Sequence, residues 1–231
     1  MNLTLTNLTK QYGSFTALQN FNYEFTAGVY GLLAPNGAGK STLMNIITDN
    51  LKATSGLVRF DGEDITKMDA DFRKILGFMP QQQGIYPNFT LERFLYYMAA
   101  LKGMKKADAK PQIEKLINLV NLQDSRNKRL GGFSGGMKQR ALIAQAMLGE
   151  PKVIILDEPT AGLDPKERIR IRNLVAQIAF DKIVIIATHV VSDIEFIAKE
   201  VLLMKRGEII DSGAPHILCE KIDGKVFEIT A

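Results

Sequence analysis

The sequence predicts an α/β fold: a mainly parallel sheet, an antiparallel β lobe at the start of the chain, and a helical lobe inserted near the middle. Three observations predict it. The apolar run Val29–Leu33 leads straight into a glycine-rich stretch, Ala34-Pro-Asn-Gly-Ala-Gly-Lys-Ser-Thr42, and helical spacing follows. Two further apolar runs, Val153–Leu156 and Ile183–Ala187, are short and bounded, as strands buried on both faces are. Between about residues 84 and 150 the apolar period turns helical.

Taken in order, Leu3, Leu5 and Leu8 alternate with polar residues, and Phe21, Tyr23 and Phe25 do the same. Both stretches read as half-buried antiparallel strands. After the glycine-rich stretch, Ser41–Leu51 has the spacing of a helix, and Leu57–Asp61 and Gly77–Met79 read as short strands. Leu91, Phe94, Leu95, Met98 and Leu101 then define one helical face, and Ile113, Leu116, Ile117 and Val120 another. A third helical run covers Met137–Leu148. The βα alternation returns with the strand Val153–Leu156, the helix Pro165–Phe180, the strand Lys182–Ala187 and a helix over Ser192–Lys199. A hairpin, Val201–Met204 with Glu208–Ile210, turns at Arg206-Gly207.

Apolar residues make up 46% of the 231 and charged residues 23%, ordinary for one globular domain with a sizeable core. No apolar run approaches the ~18 residues of a membrane span. The opening Met1–Gly13 lacks a basic n-region and a long apolar h-region, so no secretory signal is expected. The single Cys219 excludes an internal disulfide and fits a reducing cytosol. The net charge of +4 is spread out, with pairs such as Lys105–Lys106 and Lys128–Arg129 but no tract. It reads as a solvated basic surface; anionic lipid headgroups are an equally simple neighbour for it. Nucleic acid is not expected.

Three motifs carry chemistry. In the glycine-rich stretch, a P-loop, Asn36, Gly37, Ala38 and Gly39 would turn successive N–H groups inward around phosphates at a helix N-terminus. Lys40 would reach the β- and γ-phosphates, Ser41 would hold Mg²⁺, and Thr42 lies where the α-phosphate falls. Ala34 replaces the usual first glycine. The second motif is Asp157-Glu158, two carboxylates ending an apolar strand. The first is placed for Mg²⁺, and the second could polarise the water that attacks the γ-phosphate. The third, Ser134-Gly135-Gly136, precedes a helical run and forms a second anion-binding N-terminus. The P-loop already encloses one nucleotide's phosphates, so this element suits a γ-phosphate presented by a partner subunit. Alone, Ser-Gly-Gly is ordinarily a helix cap; followed by Met137-Lys-Gln-Arg140 and the carboxylate-ended strand it is specific.

In this order the motifs resemble the ATPase subunit of an ATP-binding cassette (ABC) system, from about residue 2 to 215. The resemblance implies a P-loop NTPase core over 1–83 and 151–231, with an antiparallel β subdomain and a helical subdomain over 84–150. It implies ATP and Mg²⁺ sandwiched between two head-to-tail cassettes, as a homodimer or heterodimer. It also implies a separate membrane-spanning permease subunit that the chain serves from the cytoplasmic face. By the same resemblance, Tyr12 stacks on adenine, and Gln81 contacts Mg²⁺ and water and moves with the helical lobe. Asp164, in Ala161-Gly-Leu-Asp164, crosses the interface; His189 contacts the γ-phosphate; Glu158 is the catalytic carboxylate. Phe133 and Met137 stand where the family usually has Leu and Gln. The stretches Gly84–Phe94 and Thr188–Glu195 look like the drug, lipid or peptide efflux branch.

Two other functions fit less of the chain. A soluble ABC ATPase acting on nucleic acid or ribosomes would ordinarily carry a long coiled coil between the P-loop and Ser134, or a second cassette. Here the interval from Thr42 to Ser134 lacks sustained heptads, and one cassette is present. An ordinary P-loop kinase or GTPase would leave Ser134–Gly136 and His189 unexplained.

Overall fold

A computed structural model describes residues 1–81 and 84–221. Gln82 and Gln83, beside the proposed Gln81, lie outside the described residues, as does the tail from residue 222. The chain opens with β1 (Leu3–Tyr12) and β2 (Phe15–Phe25), an antiparallel pair, and continues through β3 (Gly28–Leu33) into α1 (Lys40–Ile47). Then come β4 (Ser55–Phe60), β5 (Glu63–Asp64), α2 (Ile65–Met68), α3 (Ala70–Ile75) and β6 (Leu76–Met79). Helices α4 (Leu91–Leu101), α5 (Lys106–Leu119) and α6 (Gly135–Ala146) follow. The chain finishes with β7 (Val153–Asp157), α7 (Pro165–Ile178), β8 (Ile183–Thr188), β9 (Glu200–Lys205), β10 (Glu208–Gly213) and α8 (Pro215–Glu220).

The described strands form two sheets. One is antiparallel, in the order β2-β1-β4-β5; the other runs β10-β9-β3-β8-β7-β6 and is parallel except for β10. Alternation along β7 divides the interior. Ile154 and Leu156 join a core made with α4–α7, whereas Val153 and Ile155 join one shared with α1 and the antiparallel sheet. A strand apolar on both faces, as β7 is over its first four residues, is what such a two-sided sheet requires. The parallel arrangement sets the carboxyl ends of β3, β7 and β8 side by side, and the phosphate-handling motifs follow those ends. The α/β class, with an antiparallel lobe and helices inserted before β7, is the one the sequence predicts.

Three expectations are corrected. The helix over Ser192–Lys199 is absent; a 3₁₀ turn, Val191–Asp193, and irregular turns stand in its place. The physical reason is local. Thr188 Oγ1 accepts from the Val190 N–H at 3.0 Å, and the Asp193 carboxylate is buried against Thr160, contacts that compete with helical pairing. Helix α1 ends at Ile47 rather than Leu51, because Asp49 takes a left-handed φ of 57° and the N–H groups of Asn50 and Leu51 turn back to Asn45. Leu101 leaves the buried face of α4, being 64% exposed. Counting on from Leu91, Leu95 and Met98, the inward position is residue 102, and Lys102 fills it. Its ammonium donates to the carbonyls of Leu76 (3.0 Å) and Leu148 (2.7 Å), and burial pulls its pKa down to about 8.

Candidate functional site

Between β3 and α1 the chain needs the left-handed region twice, at Gly37 (φ 81°) and Gly39 (φ 106°). A Cβ on Gly39 would come within 2.6 Å of the Ala17 carbonyl oxygen, so backbone crowding as well as φ demands glycine there. Ala34 stands outside those two positions, and the departure at the first P-loop position carries no such strain. Lys40, buried at the start of α1, donates to the carbonyls of Ala34 (2.5 Å) and Pro35 (3.3 Å). Burial lowers its pKa, and the charges of Glu158 and Asp157 oppose that fall.

A cleft of about 270 Å³ opens in front of this loop. Asn36, Gly37, Gly39, Lys40, Ser41 and Thr42 line it, together with Tyr12, Phe15, Gln81, Asp157 and Glu158. Asp157 ends β7 with its carboxyl pushed up to about 6, first by burial and then by the neighbouring Glu158. Lys40 and a hydrogen bond from the Gln81 backbone pull the other way. Glu158 follows at φ 49°, and its N–H donates to the Ala187 carbonyl at 2.8 Å. A non-glycine residue held there costs of order 1–3 kcal/mol, and such strain gathers at working sites. Glu158 is buried, and its Oε1 lies 2.7 Å from Nδ1 of His189, whose side chain is 55% exposed. The other carboxylate oxygen, Oε2, accepts from Thr188 Oγ1 at 3.4 Å.

Tyr12, the P-loop, Gln81 and the carboxylate pair therefore meet in one cleft, with His189 joined to it through Glu158. The remaining candidates do not. Ser134 and Gly135 are exposed at the head of α6, where Ser134 Oγ caps the helix by accepting from the Met137 N–H at 3.3 Å. Gly135 borders a second cleft with Gln81, Ala161, Gly162 and Leu163. Asp164 is exposed too, and its carboxylate caps α7 by accepting from the Glu167 N–H at 2.9 Å. None of Ser134–Gly136 lines the P-loop cleft.

Sequence reasoning missed Phe15. It pairs with Tyr12 across the tip of the β1–β2 hairpin, and both rings are exposed at the cleft mouth. The signal was present as two aromatics flanking Gly13-Ser14. It also missed the polar trio Thr160, Thr188 and Asp193 behind Glu158, for which no local pattern exists.

The family model described as ABC transporter matches residues 18–161. The chain belongs to the ABC transporter family. It is 34% identical over 229 residues to the uncharacterized ABC transporter ATP-binding protein YxlF of Bacillus subtilis, covering 99% of this chain and 76% of that protein. It is 32% identical to the linearmycin resistance ATP-binding protein LnrL of the same organism, covering 94% and 71%. Among solved structures, the dimeric bacterial ABC transporter cassette MJ0796 superposes with a TM-score of 0.81 at 27% identity, over 92% of this chain and 98% of that one. The same cassette, solved as a post-hydrolysis dimer bound to ADP and Pi, gives the same TM-score. The chain is accordingly an ATP-binding, ATP-hydrolysing cassette of a transporter.

Proposed function

We propose that the chain energises export by a separate membrane-spanning partner, with two cassettes closing head to tail over ATP. In this reading the described residues within 1–83 and 151–231 form the nucleotide-binding core and 84–150 the helical subdomain. Tyr12, with Phe15 beside it, stacks on the base. The N–H groups of Asn36–Gly39 and the Lys40 ammonium hold the phosphates, with Ser41 and Thr42 at the head of α1. Glu158 accepts the proton of the attacking water, and His189, bonded to that carboxylate, steadies it and contacts the γ-phosphate. Ser134–Gly136 and Asp164 serve the nucleotide of the partner cassette.

The residues fit Mg²⁺. Ser41, Gln81 and Asp157 offer a hydroxyl, an amide oxygen and a carboxylate in one cleft, an oxygen set suited to a hard cation that keeps phosphates as its other ligands. The pressure of burial and of Glu158 on the Asp157 carboxyl is what a nearby cation relieves. When bound, Mg²⁺ supplies charge neutralisation on the phosphate oxygens.

One observation carries the reading. Ser134 and Gly135 stand exposed away from the P-loop cleft, so the second anion site of each chain has work only on another chain's nucleotide. Export rests on the likeness to the Nod factor export ATP-binding protein I of Burkholderia orbicola, 32% identical over 96% of this chain and 74% of that protein, and on the sequence of Gly84–Phe94. The separate partner and the place on the cytoplasmic face rest on the family resemblance; no described helix is long and apolar enough to cross a membrane.

Glu158→Gln tests the core of this. The amide cannot take the water's proton, so turnover should fall by about 100-fold or more while ATP affinity holds. With ATP and Mg²⁺ the variant should elute as a dimer on gel filtration. Wild-type turnover, or a monomer under those conditions, sinks the assignment.

A further inference from the structure

Behind Glu158 lies a second carboxylate to which none of the roles above is given. Asp193 is only 3% exposed. Its Oδ2 accepts from Thr160 Oγ1 and lies 3.4 Å from Thr188 Oγ1. Thr188 is also the residue that reaches Glu158 Oε2 and the Val190 N–H. The other oxygen, Oδ1, is buried with no hydrogen-bond partner, and the nearest cation, Arg168 Nη1, stands 3.9 Å away. Arg168 meanwhile donates from Nε to the Leu163 carbonyl at 3.2 Å, within the exposed loop Ala161–Asp164. A buried carboxylate oxygen without a donor is costly, and here a guanidinium waits just beyond bonding distance.

We propose that Asp193 is a positioning residue that couples the interface loop Ala161–Asp164 to Glu158 and His189. It accepts hydrogen bonds from both flanks of the carboxylate, Thr160 after β7 and Thr188 at the end of β8. A shift of the loop toward a partner cassette carries Leu163, and with it Arg168, relative to Asp193. Closing the gap from 3.9 Å to bonding distance satisfies Oδ1 and locks Thr160 and Thr188 in place. Glu158 and His189 are thereby held in hydrolytic geometry only when the loop is engaged. Arg172, which donates to the Ser192 carbonyl, holds the turn bearing Asp193 against α7, so the gap closes by a swing of the Arg168 side chain drawn by the Leu163 carbonyl and not by displacement of the turn.

The inference rests on the reading of Glu158 given above, and the experiment separates the two. Asp193→Asn keeps the shape of the side chain but sets an amide against Arg168 or the hydroxyls. The expected result is a kcat lowered about tenfold or more, with ATP affinity by calorimetry and the melting temperature close to wild type. A merely structural role would instead move melting and ATP affinity together, and that pattern overturns the proposal, as does an unchanged kcat. In the Glu158→Gln background, Asp193→Asn should still give the ATP-held dimer, since closure precedes the step it affects; a monomer there counts against it. Arg168→Ala should lower kcat alone but add nothing to Asp193→Asn, whereas multiplicative losses show two independent sites. If Glu158→Gln leaves turnover intact, the functional reading fails; if only Asp193→Asn does, this inference fails.

Discussion

Asp157 carries its charge against the surroundings. Its folded-state carboxyl holds a proton up to about pH 6, above the ordinary 3.8. A raised carboxyl favours the folded state below its ordinary value, and that contribution is lost as pH rises through about 6. Nucleotide-free protein at pH 8 thus bears a penalty that Asp157→Asn removes. Its melting temperature should exceed wild type by ~2–4 °C at pH 8 for each kcal/mol relieved, and the gain should shrink to roughly half at pH 5, disappearing only below the ordinary carboxyl value. A gain equal at both values would show that charge is not the cause. Lys40 bears on binding instead. Lys40→Ala deletes a charge-assisted donor worth about 1.5–3 kcal/mol, so ATP affinity should fall about 10- to 100-fold by calorimetry. At this scale the sequence was legible where residues that act together lie in one run, as in Asn36–Thr42 and Asp157-Glu158. Phe15 and Asp193 escaped it because their roles depend on a hairpin tip and on burial between segments far apart in sequence.

Among elements, the segment between β6 and α4 is where chemistry and packing meet. Tyr86 and Phe89 stack at 5.1 Å, Tyr97 lies edge-on to both, and the Arg93 guanidinium sits 4.2 Å over Phe89. The two rings differ in burial: Tyr86 is 41% exposed, whereas Phe89 packs against the core of the helical lobe. The backbone is pinned as well, since Leu130 N–H donates to Phe89 and Gly131 N–H to Pro87, just ahead of Ser134. If the membrane-spanning partner proposed above docks a helix on this segment, where the Tyr86 ring is exposed, it presses on a unit tied to Ser134–Gly136. Tyr86→Glu should leave melting within a degree or two of wild type and keep ATP binding, yet lose the membrane partner in a pull-down. Phe89→Asp should lower stability by about 1–3 kcal/mol, because it sets a charge against apolar neighbours. Retained partner binding in Tyr86→Glu removes the docking role. The period of α4 was plain from sequence, but its end was not, because Lys102 occupies an inward position that only the carbonyls of Leu76 and Leu148 make tolerable. The lost helix at Ser192–Lys199 has a similar origin: its apolar spacing is helical, and a buried Asp193 overrides it.

For the molecule as a whole, the separation of Ser134–Gly136 from the P-loop cleft makes a demand on symmetry. A two-fold axis that sets one P-loop against the partner's Ser134 sets the second pair together as well. Each nucleotide site then draws half its groups from either chain, and damage in the two halves should complement. Take Lys40→Ala, which spoils the P-loop, and Gly136→Asp, which forces a side chain into space already held by the Glu167 carboxyl. Each alone should be nearly inactive as a homodimer, for every site contains one damaged half. In a mixed dimer one site collects both defects, while the other joins an intact P-loop to an intact Ser134–Gly136. Random mixing makes half of the dimers mixed with one of two sites whole, so about a quarter of wild-type ATPase activity should return if the sites turn over independently. The measurement is ATPase activity of the two variants mixed in equal amounts, against each alone at the same total concentration. Gly136→Asp must first show wild-type ATP affinity, which establishes that its own P-loop side is sound. Recovery can arise only if the second anion site acts on the other chain's nucleotide; activity no greater than the mean of the separate variants would place both halves of the site in one chain.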